Sequence, residues 1–397
     1  MSDDGQNRAG RKRRVLVVTG TRAEFGLLRP VMKAVQDRGG VDGGEDGDLE
    51  LLVVAAGSHL VQPALTFHEV KAEFAVADSI PMQTAGRVGR AEDVEAVGKG
   101  IGRFGRSFEL LDPDWVVVLG DRIEAFAAAS AASIGGRALA HIHGGDRAEG
   151  VADEAMRHAI TKMANVHFPA TEGSAERIVR MGEDPERVFT VGSPAIDGLG
   201  VIPALGDGAY ADLGGPEVVV LMHPCGRGDD VEREEMRLVL KGVEEKRVLV
   251  LAPNLDPGRR GIIEAIQGIE GNAGVVVREH LERDVFVGLL RRVGEEGGAL
   301  VGNSSAGLIE CSALGCPSVD VGIRQSGRER CAGMTVHVES GDGVEVRIQE
   351  ALRELCSCVD RGSTHPYGDG TAGVQIARVL AGLDPSVEGF VRKRCVY

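Results

Sequence analysis

Aromatic side chains are scarce in this chain: ten Phe, three Tyr and one Trp among 397 residues, 4% in all. Its cores must therefore be aliphatic, which favours parallel sheets packed by helices on both faces. No apolar run approaches the roughly 18 residues that a membrane-crossing helix needs, which argues against a transmembrane span. Positive charge is in deficit, with 45 Lys and Arg against 60 Asp and Glu, a formal charge of −15. Nucleic-acid binders are usually basic, so this balance argues against DNA or RNA as partner. It leaves room for a small anionic ligand, because a few arginines can dominate one cleft. The seven cysteines, at 225, 311, 316, 331, 356, 358 and 395, form no paired CxxC pattern at zinc spacing and read as reduced cytoplasmic thiols. There is no GxGxxG and no repeat at solenoid period. The first 14 residues are polar and then basic, with no apolar stretch before the first strand. They read as a solvated tail rather than a secretory signal.

What the chain has is alternation. Aliphatic runs at 15–19, 49–56, 115–119, 138–142, 166–169 and 188–191 read as strands, interleaved with helical spacing at 24–36, 123–134, 153–164 and 173–181. Residues 39–48, rich in Gly and Asp, read as an exposed loop. Residues 192–216, rich in Gly and Pro, read as a linker. A second alternation follows: strands at 218–222, 248–252, 275–278, 299–301 and 318–321, with helices near 231–244, from about 261, at 284–293 and at 305–314. A last helix covers 371–383. Two strand–helix domains in series predict an α/β protein with a doubly wound sheet in each half and ligands at the C-terminal strand ends. The division expected is a tail at 1–14, a first Rossmann-like domain at 15–200, a second at 201–370, and a C-terminal helix and tail at 371–397.

The informative residues fall where strands stop. Gly20 permits a tight turn after the first strand, and Arg22 sits just before the next helix, whose N-terminal amides favour an anion; a solvated turn arginine is the other reading. Asp121 and Arg122 follow the strand at 115–119. The arginine suits phosphate, while Asp121 could equally be an N-cap. In an extended stretch His141 and His143 would share one face, and Gly144 and Gly145 would let a substrate approach the backbone. His143 is the residue type suited to moving a proton. Asp153 and Arg157 have the spacing of a helical ion pair. Histidines and acids here lack a further ligand at zinc-like spacing, so no metal is expected. In the second half, His223, Asn254 and His280 each follow a strand. The strongest pattern is 302–310, where Ser304 and Ser305 at a helix start, with backbone amides, could cradle a diphosphate and Glu310 could accept from sugar hydroxyls. A plain serine cap is the alternative. Arg324 and Arg328 lie beyond the last strand of that core.

Taken together, TGTRAEFGLLRP, VLGDRIEAFA, HIHGGDRAEGVADEAMRHAITKM, VGNSSAGLIECSALGCPSVDVGIRQSGRER and YGDG resemble the nucleotide-sugar 2-epimerases, closest to the hydrolysing UDP-N-acetylglucosamine 2-epimerases of sialic- and legionaminic-type pathways. The resemblance runs from about residue 15 to about 383. It implies a GT-B architecture, two Rossmann-like domains facing a cleft, with a C-terminal helix able to cross back. It implies that Arg22, Arg122, His223, Asn254, His280, Ser304, Ser305, Glu310 and Arg324 surround the UDP portion, with Asp121, His143 and Asp153 near the sugar as acid/base groups. The reaction implied is elimination of UDP followed by hydration of the glycal, giving N-acetylmannosamine, with no metal or other cofactor, in a cytoplasmic homo-oligomer (dimer or tetramer). Many relatives carry Glu where His143 stands, and Glu where Asp146 stands. A UDP- or GDP-linked 2,4-diacetamido-2,4,6-trideoxy sugar is the alternative substrate. A non-hydrolysing epimerase, a GT-B glycosyltransferase and a non-catalytic nucleotide-sugar sensor are the alternative functions.

Overall fold

The computed structural model describes residues 11–40, 47–62, 64–87, 89–147, 154–254, 256, 258–358 and 365–396. The chain divides into two compact units, the first made of residues 1–146, 153–197 and 368–397 and the second of residues 147–152 and 198–367.

In the first unit the elements run β1 (Arg13–Thr19), α1 (Arg22–Asp37), β2 (Leu49–Ala56), α2 (Phe67–Glu73), β3 (Val76–Ile80), α3 (Arg90–Leu111), β4 (Trp115–Leu119), α4 (Ile123–Ile134), β5 (Ala138–Ile142), α5 (Glu154–Met163), β6 (Val166–Phe168) and α6 (Glu172–Arg180). The strands form one parallel sheet in the order β3-β2-β1-β4-β5-β6. Aliphatic runs buried on both faces are what such a sheet requires. Val15 and Val17 pack with Leu28, Val31 and Met32 of α1, whereas Leu16 and Val18 pack with Phe104 and Phe108 of α3 and the alanines of α4. The run expected as a strand at 188–191 contributes only an isolated bridge, Val188 to His167.

The second unit runs α7 (Asp207–Asp212), β7 (Val218–Leu221), α8 (Asp229–Gly242), β8 (Val248–Leu251), α9 (Arg259–Gln267), β9 (Val275–Arg278), α10 (Arg283–Glu295), β10 (Ala299–Gly302), α11 (Glu310–Leu314), β11 (Ser318–Val321), β12 (Thr335–Val338) and α12 (Val344–Cys358). Its parallel sheet has the order β12-β11-β10-β7-β8-β9. Counted within the unit this is the same doubly wound order as the first sheet. Val218, Val220, Val250 and Val301 pack with Met236 and Val239 of α8, Ile262 of α9 and Ile348 of α12. The expected linker is shorter than 192–216, because short 3₁₀ turns and α7 already occupy much of it.

The last helix, α13 (Ala372–Gly382), belongs to the first unit and lies on α1. Both Asp197 oxygens accept from its opening amides, Ala372 N at 3.0 Å and Gly373 N at 2.6 Å. Trp115 Nε1 donates to the Leu380 carbonyl at 3.2 Å. The segment 371–397 is thus built into the first unit's core through Ile376, Ala377, Leu380 and Phe390. At the other end the expected tail is too long: Arg13 and Arg14 already pair with Leu49 and Glu50 in β1. Arg14 N donates to Asp114 at 2.8 Å, which draws the basic stretch into the sheet. Residues 1–10 lie outside the described residues. Among the described residues no helix is long and apolar enough to cross a membrane.

Candidate functional site

Each sheet reverses its winding direction once, between β1 and β4 and between β7 and β10. There the loops leaving the C-terminal strand ends diverge and open a crevice. In the first unit those loops carry Gly20 to Arg22 and Gly120 to Arg122. In the second they carry His223 and Asn303 to Ser305.

Around β1, Thr21 caps α1 by accepting from Glu24 N at 3.2 Å. The Glu24 carboxyl turns back to accept from Gly20 N at 3.0 Å. This is a capping-box arrangement moved by one residue, and the Thr-x-x-Glu spacing is the signal that could have found it. Glu24 is buried, and its pKa is pushed up to about 8 by burial and then by the neighbouring Glu124. Glu124, on α4, is fully buried; its Oε1 accepts from Gln83 Nε2 at 3.2 Å, and its Oε2 lies 3.7 Å from Arg122 Nε. Arg22 reaches outward to Glu69, at 3.1 Å. His59, past β2, sits between Thr19 Oγ1 at 2.9 Å and Thr66 Oγ1 at 2.6 Å, and burial lowers its pKa to about 4.

Asp121 is not the cap of α4: that position is Arg122, with no side-chain cap bond. Instead Asp121 accepts from Arg157 of α5, which is 4% exposed. Arg157 also donates to the His143 carbonyl at 3.1 Å and stands 4.0 Å from Asp146. The pairing expected between Arg157 and Asp153 cannot be followed, because Asp153 lies outside the described residues. His141 and His143 do not share a face. β5 stops at Ile142, and His143 turns with φ +61° into the left-handed region. His141 stays in the strand, fully buried, with Nε2 2.8 Å from the Gly120 carbonyl, and burial lowers its pKa to about 3.

His143 is itself buried, with Nδ1 2.9 Å from Asp146 and Nε2 2.9 Å from Ser193. A non-glycine residue held at positive φ is strained, and such strain clusters at functional sites. The two glycines that follow serve the protein's own packing rather than an open approach for substrate. A Cβ on Gly144 would come within 2.9 Å of His141 Nδ1, and one on Gly145 (φ +75°) within 2.3 Å of the Ser174 carbonyl. Sequence reasoning therefore placed Asp121 and His143 correctly at strand ends but missed Arg157 as their common partner, and Ser193, Glu24 and Glu124 altogether.

In the second unit Asn303 clasps the loop after β7. Its Oδ1 accepts from His223 N at 2.7 Å, and its Nδ2 donates to the His223 carbonyl at 2.8 Å. The Asn303 carbonyl accepts from Arg324 at 3.2 Å and Gln325 at 2.8 Å. His223 Nδ1 accepts from Asn254 N at 3.2 Å. Burial, then the Arg324 cation, lowers the His223 pKa to about 3, so the ring is neutral. His223, Asn254, Asn303 and Arg324 thus form one network.

Ser304 does cap, accepting from Ala306 N at 3.3 Å, but what it caps is a single 3₁₀ turn, Ser305–Gly307. The helix expected over 305–314 is broken, and α11 starts only at Glu310. The cause is Ser318, whose hydroxyl donates to the Gly307 carbonyl at 2.6 Å and so competes for an acceptor that a continuous helix would use. Ser304 is buried and Ser305 half-buried, and the amides of 306–308 are bonded within the turn, so no long helix stands behind the two serines. His280 is exposed, beyond the edge strand β9.

Residues 43–381 match the family model described as UDP-N-acetylglucosamine 2-epimerase. A UDP-N,N′-diacetylbacillosamine 2-epimerase (hydrolyzing) from Legionella pneumophila is 33% identical over 383 residues, covering 93% of this chain and 95% of that protein. A UDP-N-acetylglucosamine 2-epimerase from Neisseria meningitidis is 28% identical, over 87% of this chain and 88% of that one. Among solved structures, the Methanocaldococcus jannaschii UDP-GlcNAc 2-epimerase in complex with UDP-GlcNAc and UDP superposes with a TM-score of 0.75 at 17% identity, over 93% of this chain and all (100%) of that one.

Proposed function

The chain belongs to the UDP-N-acetylglucosamine 2-epimerase family, and from that premise we propose that it is a hydrolysing 2-epimerase. In this reading a UDP-linked 2-acetamido sugar and water become UDP and the free sugar inverted at C2. Removal of the C2 proton leaves its electron pair to form the C1–C2 double bond while the C1–O bond breaks and its pair departs with UDP. Water oxygen then adds to C1, and a proton returns to C2 from the opposite face. The sequence is redox-neutral, so it calls on no electron carrier.

The observation that carries the reading is the arrangement at the end of β5, where His143 is held against Asp146 at 2.9 Å and shares Arg157 with Asp121. A weakly acidic C–H needs a base fixed in place, and departure of a diphosphate needs positive charge and N–H donors at the leaving oxygen. We assign the proton transfers to Asp121, His143 and Asp153. The nucleotide is assigned to Arg22, Arg122, His223, Asn254, His280, Ser304, Ser305, Glu310 and Arg324. Similarity to the Legionella enzyme favours UDP-N,N′-diacetylbacillosamine as substrate over UDP-N-acetylglucosamine, which the motifs alone put first.

The test is incubation with each sugar nucleotide in D₂O with no acceptor present. Free UDP and a free reducing sugar with one deuterium at C2 are expected. An epimerised sugar nucleotide without net UDP release would instead make the enzyme non-hydrolysing. Release of UDP only when an acceptor is added would make it a glycosyltransferase.

A further inference from the structure

His143 has both ring nitrogens engaged. Asp146 Oδ2 lies 2.9 Å from Nδ1 and Ser193 Oγ 2.9 Å from Nε2. Asp146 also accepts from the Ser174 hydroxyl at 2.8 Å on its other oxygen and stands 4.0 Å from the Arg157 cation. These are the surroundings of an acceptor-only carboxylate, so the proton between Asp146 and the ring sits on Nδ1. On a neutral ring Nε2 is then the lone-pair nitrogen, and Ser193 donates to it. The Ser193 oxygen in turn accepts from Ala195 N at 3.2 Å, which fixes its rotamer. Only one tautomer satisfies the whole chain of bonds. His143, Asp146, Ser174 and Ser193 are 5, 2, 0 and 0% exposed. A buried, fully satisfied polar network of this kind is rigid and orients the ring.

We propose that Asp146 and Ser193 are positioning residues for His143: Asp146 locks the imidazole as the Nδ1–H tautomer, and the Ser193 hydroxyl, bonded to Nε2, holds the ring in its working orientation. This deepens the proton-carrying role assigned to His143 above and rests on it. When His143 takes the proton leaving the reacting group on Nε2, the Ser193 hydroxyl turns from donor to acceptor and the imidazolium is balanced by Asp146. Return runs the same path backwards, and only protons move. Ser193 is not read as a nucleophile, because it is fully buried and its oxygen is held by the Ala195 amide.

The experiment uses the full chain labelled with ¹⁵N-histidine, with His143→Gln to assign the signal, alongside kinetics of Asp146→Asn, Ser193→Ala and Ser193→Thr. The wild-type ring is expected as Nδ1–H before any substrate is added. In Asp146→Asn, Ser174 keeps its acceptor if the amide oxygen faces it. The amide NH₂ then faces Nδ1 and forces the opposite tautomer. kcat should fall by about 10³- to 10⁴-fold, as for a triad histidine in the wrong tautomer, with KM within about threefold. Ser193→Ala should keep the Nδ1–H signal while kcat falls about 100-fold, and Ser193→Thr should recover most of it. An Nε2–H ring in the wild type, or wild-type kcat in Ser193→Ala, overturns the proposal even if Asp146→Asn does not fold. If the wild type releases UDP from neither sugar nucleotide, the assignment of function fails instead, while the resting tautomer still decides the geometry.

Discussion

Arg157, buried in the first turn of α5, donates to the carboxylate of Asp121 in the loop after β4. The same guanidinium holds the His143 carbonyl and stands near Asp146, so one cation anchors two acids and a strained backbone. Removing a buried partner leaves its counter-charges unpaired in a poorly solvated place, a change that typically costs about 3–5 kcal/mol. Arg157→Met is expected to lose stability on that scale and all measurable turnover. Arg157→Lys, which restores the charge but replaces the planar guanidinium fork with a compact ammonium that cannot span the Asp121 carboxylate and the His143 carbonyl in the same geometry, should recover most of the stability and little of the activity. Urea denaturation beside steady-state assays would check this, and an Arg157→Lys variant with near-normal kcat would refute the two-way clasp.

Glu24 makes stability depend on pH in a defined sense. Burial, and then the Glu124 charge, lifts its folded pKa to about 8 from its ordinary value of 4.5. A raised carboxyl favours the fold while it is protonated. The contribution is fully present below about pH 4.5 and is lost as pH climbs through about 8. Glu24→Gln keeps an acceptor for the Gly20 amide but carries no proton to lose. The stability difference between wild type and Glu24→Gln should therefore shift towards the variant between pH 5 and pH 8. Taking the difference cancels the histidines that titrate elsewhere. Denaturation midpoints for both proteins at pH 5, 6.5 and 8 decide it; a difference that does not vary with pH would mean Glu24 is ionised throughout.

The fold was legible where aliphatic runs stop at glycine, as β1 and β4 do. It was not legible between residues 57 and 114. There α3 carries Gly98, Gly100, Gly102 and Gly105, which lower helix propensity, and β3 alternates half-buried with exposed positions over its five residues, with only Ile80 buried. Packing explains one of those glycines: a Cβ on Gly100 would meet the Ala127 methyl at 3.0 Å, so α3 can lie close on α4 only with glycine there. For the site, strand ends located Asp121, His143, His223 and Ser304, because a doubly wound sheet presents those ends together. Partners were harder to read. Helical spacing tied Arg157 to Asp153, four residues away, whereas its partner Asp121 is 36 residues away and is brought near by β4 pairing with β5. Ser193 lies two residues past the run read as a strand at 188–191, yet nothing local marks it as a neighbour of His143, 50 residues earlier.

In the second unit the consequential side chain is Asn303, 1% exposed, which satisfies both backbone groups of His223. Asn303→Ala would leave that amide and carbonyl without partners, at a cost of about 1–3 kcal/mol for each buried group left unsatisfied. Asn303→Asp keeps the acceptor for His223 N but turns a carboxylate oxygen toward the His223 carbonyl. Arg324, which donates to the Asn303 main chain, can offset part of that repulsion. Both variants should therefore be less stable, the alanine more so. On the proposed assignment of nucleotide to this network, both should also bind UDP about tenfold more weakly, since His223 and Arg324 lose their common anchor. Calorimetric titration of UDP into each folded variant tests this. Unchanged UDP affinity in a destabilised Asn303→Ala would confine Asn303 to holding the fold and would move the nucleotide away from the β7 and β10 loops.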